Sequence, residues 1–514
     1  MRRLFTLTLL VLTLVPGLCA ALRPGTWFSD GAVLQCDKPV PVWGHANPGE
    51  RITVRFRDQQ VGTTADAKDG AWVVLLGPFP AGTAEGELSI TGDSAPETPV
   101  ILRRIVVGEV WLFAGQGNLL RTIAHSGGIL PAGAATPVPL LRCATLRAGT
   151  DTGDVRLAWQ GASAETAGEF SAIAYHFARR LMRKTGVPVG VVVIGDETAP
   201  IEAWLSPAAM TSQNLYSMLD ERWEANKADH ARRLALYQSA MNDWLSAHQR
   251  AQSRGSKDQR FFLLRNARPE EPRLHAPGSC HQGLLSPLLP CSVRGMVWHH
   301  GEANIARADE YGPLLRSFIQ TTRRHLGDEA SPLIIVQAAN IGAPDTTTPG
   351  SWGRLREAQA SALSLPDTAL VVTLDLGVPP TPWPADRAEI GRRIAQVALA
   401  RVHGTDAEYI GPEVEAYATE GAWVRLDFAH ADTGLIARDH AVQAFEIAGE
   451  DGVFHPASAQ LLSASILLHS PLVARPTQVR YAWSNAAIAN LANGWGLPAA
   501  PFRLTLRSPK MQAP

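Results

Sequence analysis

The chain has little cysteine, almost no net charge and no long apolar run beyond its first residues. Five cysteines occur in 514 residues, and after Cys19 only Cys36, Cys143, Cys280 and Cys291 remain. So few thiols exclude a disulfide-dense scaffold, which small secreted domains need and a large core does not. Cys280 and Cys291 are close enough in sequence to pair, with buried free thiols as the alternative. No cysteine or histidine spacing suggests a zinc site, and no cofactor is expected. The 47 basic and 48 acidic residues leave a net charge of −1, which gives no electrostatic case for nucleic acid. No later segment is long and apolar enough for a membrane helix. There is no internal repeat and no low-complexity tract. At 46% hydrophobic and 18% charged, the composition excludes disorder over most of the length.

What is present divides the chain. Its length exceeds one ordinary core and implies two to four domains. Arg2 and Arg3 precede an apolar stretch at 4–15 and then small residues, the pattern of a secretory signal over 1–20 with cleavage after Ala20 or Ala21. A lipid anchor on Cys19 is disfavoured by Leu18 directly before it. The expectation is a secreted or periplasmic protein with no membrane attachment after cleavage.

Residues 22–104 read as an all-β, sandwich-like module, with polar and apolar residues alternating at 51–56 and short strands at 72–76 and 88–91. The 37 prolines and 44 glycines fit such turn-rich modules. Residues 105–403 change character. Apolar runs at 110–113, 189–194, 296–298, 333–336 and 369–374 alternate with longer helical segments, as expected of strands buried on both faces of a parallel sheet. A charged helical insertion is expected at 214–275, with Leu234, Tyr237, Met241, Trp244 and His248 on one face. From 404 to 514 alternation returns, at 423–428 and 461–468, as a closing β module.

Polar groups follow each apolar run: Gln116, Asp196, His300 with Glu302, Gln337 with Asn340, and Asp375. Convergence of such groups at one sheet edge is what an α/β ligand site looks like. The segment GEVWLFAGQGN at 108–118 is the most informative, because a buried strand opens there into small and polar residues.

That segment resembles the nucleophile block GEVWLCSGQSNM of the sialate O-acetylesterase family. Ordered matches cover nearly all of the mature chain: FSDGAVLQ at 28–35, KPVPVWG at 38–44, PIEAW at 200–204, RGMVW at 294–298, LREAQ at 355–359, FEIAG at 445–449 and GLPAAPFR at 496–503. The resemblance implies an SGNH-hydrolase-like (flavodoxin-like) α/β domain with a helical insertion, flanked by N- and C-terminal β modules. It also implies exported hydrolysis of O-acetyl esters on sialic acid or other sugars.

Ester hydrolysis by this route needs a hydroxyl, a histidine base, a supporting carboxylate and oxyanion donors. Gly117 stands at the serine position. Trp383 stands at the histidine position of a DIHPKNK-like segment and Thr381 at its acidic position. Glu197 and Thr198 replace the glycine pair of the oxyanion loop, and His300 replaces glutamine in a QGESN-like block. No catalytic residue of the family is intact. The residues left to line a binding pocket are Gln116, Asn118, Asp196, His300, Glu302, Asn304, Asn340 and Asp375.

Substitute chemistry has weak support. Ser94 in a Gly-Asp-Ser triplet falls in the β module, and Ser126 sits in a loop. His299 and His300 are adjacent on a strand and point to opposite faces, against a metal site with Glu302. An Asp196–Glu302 acid–base pair has no separation fixed by sequence. The expectation is a catalytically degenerate family member that binds carbohydrate, for example an O-acetylated sugar. The alternatives are an active hydrolase with a rebuilt site, and a structural or partner-binding protein with a filled cleft.

Overall fold

The computed structural model describes residues 22–126, 138–147, 157–212, 216–253, 274–340, 350–377, 386–438 and 441–506. The expected signal segment lies outside these residues, as do Thr381 and Trp383.

One strand, Val100–Gly115, organises the molecule. Its first half pairs antiparallel with Gly82–Gly92 in the N-terminal sheet and parallel with Val33–Gln35. Its second half runs on as a central strand of the parallel sheet, between Val189–Gly195 and Gly295–His299. Leu333–Val336 and Thr368–Val371 extend the sheet beyond Gly295–His299. All five predicted apolar runs are therefore neighbours, in the order second, first, third, fourth, fifth. The last strand stops at Val371, and Leu374 begins a short 3₁₀ turn instead. Beyond Val189–Gly195 lies a further parallel strand, Val138–Arg147, and then antiparallel Gln160–Ala162.

The pleat sends successive side chains to opposite faces. Trp111 and Phe113 join the core under helices Ala172–Thr185 and Arg387–His403. Leu112 and Ala114 join the core that includes Leu314, Leu315, Phe318 and Leu355 from helices Ala308–His325 and Ser351–Ala360. Helices on both faces explain the uninterrupted apolar runs, since such strands meet no water on either side.

In the N-terminal module, Arg51–Phe56 pairs with Gln59–Thr64 and Gly82–Gly92, while Val40–His45 pairs with Ala71–Leu76 in a separate sheet. Asp93 and Ser94 occupy a turn in which Ser94 Oγ hydrogen-bonds Glu50, far from the parallel sheet's carboxyl edge. The C-terminal module has its own core around Val424, Leu426, Ile447, Ile466 and Tyr481. It is fastened to the α/β domain by Arg356, which is fully buried and donates to the carbonyls of Ala338, Ala339 and Ser484. All four cysteines are buried free thiols, so Cys280 and Cys291 are unpaired.

Among the described residues, the insertion contains one helix, Tyr216–Ser253. Leu219 is in the core, and Arg222 pairs with Glu310 at 2.9 Å. Leu234, Tyr237, Met241, Trp244 and His248 are half-buried among exposed neighbours, the face that the spacing predicts. No described helix is long and apolar enough to cross a membrane.

Candidate functional site

The carboxyl ends of the first and third strands form the switch point of the sheet, where chain connections leave in opposite directions. The backbones there touch. A Cβ on Gly115 would lie 2.0 Å from the His299 carbonyl oxygen, so no larger residue fits at this position. Gln116 N–H donates to the same carbonyl at 3.0 Å. Gly117 follows with φ 42°, buried, at the start of a 3₁₀ turn over Gly117–Leu120. Left-handed backbone of this kind favours glycine. No side-chain nucleophile exists at this point.

The predicted pocket residues come to this edge, and most of them engage other parts of the protein. Gln116 Oε1 accepts from Gly301 N at 3.1 Å, holding the first loop to the third. Asn118 Oδ1 accepts from Arg387 Nε at 2.8 Å, while its amide nitrogen is buried without a hydrogen-bond partner. Asn304 is fully buried; it accepts from Ile201 N and donates to Glu202 Oε2, both at 2.8 Å. Glu202 is also bound by Arg307 at 2.6 Å, and this hydrogen bonding and charge hold its carboxyl low against the opposing effect of burial. Asn340 donates to Ala487 O at 3.1 Å, across to the C-terminal module.

His300 is a packed core group. Its ring stacks on Trp298 with centroids 4.8 Å apart, Nε2 lies 2.9 Å from the Ala199 carbonyl, and Nδ1 lies 3.1 Å from the Tyr311 hydroxyl. Burial pushes its pKa down to about 4, so it is neutral at pH 7. An Nε2–H donated to Ala199 leaves Nδ1 to accept from Tyr311. Glu302 is half-buried, and desolvation raises its carboxyl above the ordinary value. Asp375 lies four residues past its strand, with both oxygens 2.7 Å from Arg393 and a further contact to Arg438.

Asp196 is buried and shaped by its own loop. Its Oδ1 accepts from Thr198 N at 2.8 Å and Ala199 N at 2.9 Å. Glu197 and Thr198 project outward and are exposed. A cavity of about 610 Å³ lies at the opposite, amino edge, beside Glu109, and one of about 440 Å³ lies between helices Ala172–Thr185 and Arg387–His403, beside Arg180 and Arg392. Neither is lined by Gly117 or by any predicted pocket residue.

Arg387, Arg356 and Gln359 are residues that sequence reasoning did not single out for the site. Gln359 Nε2 donates to His300 O at 2.8 Å, and its Oε1 accepts from Ala338 N at 3.0 Å. The available signal was the LREAQ match itself, which carries three polar residues, Arg356, Glu357 and Gln359, on a short helix.

Comparison with known proteins relates this chain to carbohydrate esterases. The family model described as carbohydrate esterase, sialic acid-specific acetylesterase, matches residues 283–396. Human sialate O-acetylesterase is 23% identical over 419 residues, covering 74% of this chain and 71% of that protein. The mouse sialate O-acetylesterase is 22% identical over 422 residues, covering 74% of each. The crystal structure of a carbohydrate acetylesterase from Xanthomonas citri superposes with a TM-score of 0.75 at 29% identity, covering 94% of this chain and 99% of that one. The chain thus matches sialate O-acetylesterase-like carbohydrate esterases at the family level. Its α/β architecture is structurally close to a carbohydrate-esterase fold.

Proposed function

We propose that this chain is an exported, catalytically degenerate relative of the sialate O-acetylesterases, with an SGNH-hydrolase-like (flavodoxin-like) domain whose ligand is an O-acetylated sugar or another carbohydrate. The observation that carries the reading is Gly117. It occupies the head of the switch-point turn, where the family's hydroxyl would attack, and it has no side chain to attack with. The sequence supports the same reading at Trp383 and Thr381, where the base and its acidic neighbour would stand. Removing the nucleophile of a serine triad costs on the order of 10⁶ in turnover. Conserving the scaffold while losing its chemistry is the pattern of a binding or scaffolding protein.

The test is hydrolysis of p-nitrophenyl acetate and O-acetylated sialic acid by residues 22–514. The native chain is expected to match heat-killed background. Turnover well above background would overturn the reading in favour of a rebuilt site. A triple variant, Gly117→Ser with Thr381→Asp and Trp383→His, asks whether the ancestral cleft still admits an ester.

A further inference from the structure

Asp196, His275 and Cys280 converge beside the candidate site, with one donor atom from each lying within 4.8 Å of the other two. We propose that they form a site for a divalent transition-metal cation of the zinc class.

The donors are held from two sides. Asp196 follows the strand Val189–Gly195, and its N–H donates to Gly115 O at 3.2 Å. Its two backbone hydrogen bonds to Oδ1 fix the carboxylate before any ion arrives. His275 and Cys280 come from a separate segment that doubles back at Gly278, where φ is 76°. Gly278 N–H donates to Glu202 O at 2.9 Å, so the turn is tied to the α/β domain. Cys280 leads into the π-helical turn His281–Leu285 and is buried. The loop is thus closed from both ends around one point.

The spacing suits a metal. Bonds of about 2.0–2.3 Å in a tetrahedral arrangement put ligand atoms about 3.3–3.8 Å apart. His275 Nε2 lies 3.6 Å from Asp196 Oδ1. The other donor separations are at most 4.8 Å, about 1 Å beyond that range. The donor set of one carboxylate, one imidazole and one thiol is borderline in softness. That selects zinc or cobalt(II) over magnesium and calcium, which want oxygen alone, and over copper(I), which wants sulfur.

The surroundings point the same way. Asp196 is 5% exposed and has no Lys or Arg ion pair among the described residues; its ion-pair partner is the imidazole of His275. Asp375 and Glu202, the other carboxylates of this edge with tight partners, have two arginines each. Thr198 at the rim of the cluster is exposed, and its Oγ1 lies 3.0 Å from His275 Nε2. Three protein donors leave a fourth position for water or a ligand atom, the arrangement of open rather than sealed zinc sites. Sequence spacing did not reveal the site because Asp196 is 79 residues away from His275 in the chain.

The test titrates cobalt(II), then zinc(II), into chelator-treated protein comprising residues 22–514. The expected result is one cobalt per chain, visible bands of tetrahedral cobalt, a thiolate-to-cobalt charge-transfer band, and displacement by zinc. Cys280→Ser should abolish the charge-transfer band. Cys291→Ser should leave it intact. His275→Ala should weaken binding by at least the ~10–100-fold that even outer-shell losses produce. Absence of stoichiometric cobalt binding by the native chain, or a charge-transfer band surviving Cys280→Ser, would overturn the proposal. These readouts are independent of ester hydrolysis, so this site and the degenerate-enzyme reading stand or fall separately.

Discussion

At Gly117 a single backbone angle decides what a serine there would cost. Gly117 has φ 42°, and left-handed backbone costs an ordinary L-residue about 1–2 kcal/mol. Gly117→Ser and Gly117→Ala should therefore lower stability by about that amount, while Gly117→Asn, which tolerates this region, should lose less. Urea midpoints at constant slope would show the ranking; equal losses for Ala and Asn would mean the strain lies in packing. Single residues also mark where the sequence was opaque. The turn at Gly115–Asn118 was legible because small and polar residues end an apolar run. The engagement of Asn304 with Ile201 and Glu202 was not, since both partners lie about 100 residues away. An asparagine near a strand end looks the same whether it meets a ligand or a neighbouring loop.

At the scale of elements, Asp375 ties helix Arg387–His403 to the C-terminal module through Arg393 and Arg438. Asp375→Asn leaves two guanidinium groups without their shared carboxylate. Breaking such a buried pair costs roughly 3–5 kcal/mol. The loss should appear as a lowered thermal midpoint. In the native chain the arginines outweigh burial and hold the Asp375 carboxyl below its ordinary value. Its stabilisation is therefore complete above the ordinary aspartate pKa and disappears as pH falls through the lower folded value. A stability titration on the acid side should lose this component in Asp375→Asn. A native-like acid dependence in that variant would show that other carboxylates dominate. The five parallel strands were legible as continuous β-branched runs. The strand Val138–Arg147 was not, because a proline and Arg142 interrupt its apolar pattern. Arg142 is buried there because it reaches Gly31 O at 2.8 Å and Glu85 at 2.7 Å in the N-terminal module. A tertiary contact overrode the local signal.

For the whole molecule, the sequence boundary between residues 104 and 105 falls inside the single strand Val100–Gly115. Composition changes there because the strand passes, through a bulge at Arg104 where φ is 57°, from a half-exposed sheet to a doubly covered one. The N-terminal module and the α/β domain also share one contiguous core. They should unfold in one cooperative transition. A chain beginning at residue 105 should fail to give a native-like near-ultraviolet spectrum; a folded, cooperatively melting product would show that the two units are separable.

The same strand has a mechanical consequence. Its residues from Val100 to Gly115 form one strand that bulges at Arg104, where φ is 57°, and is clamped laterally by hydrogen bonds on both sides of the bulge. Tension applied to the N-terminal module would load those bonds in shear and carry the force along the strand to Gly115. The turn at Gly117 is thus the anchored end of a tether that begins in the outer module.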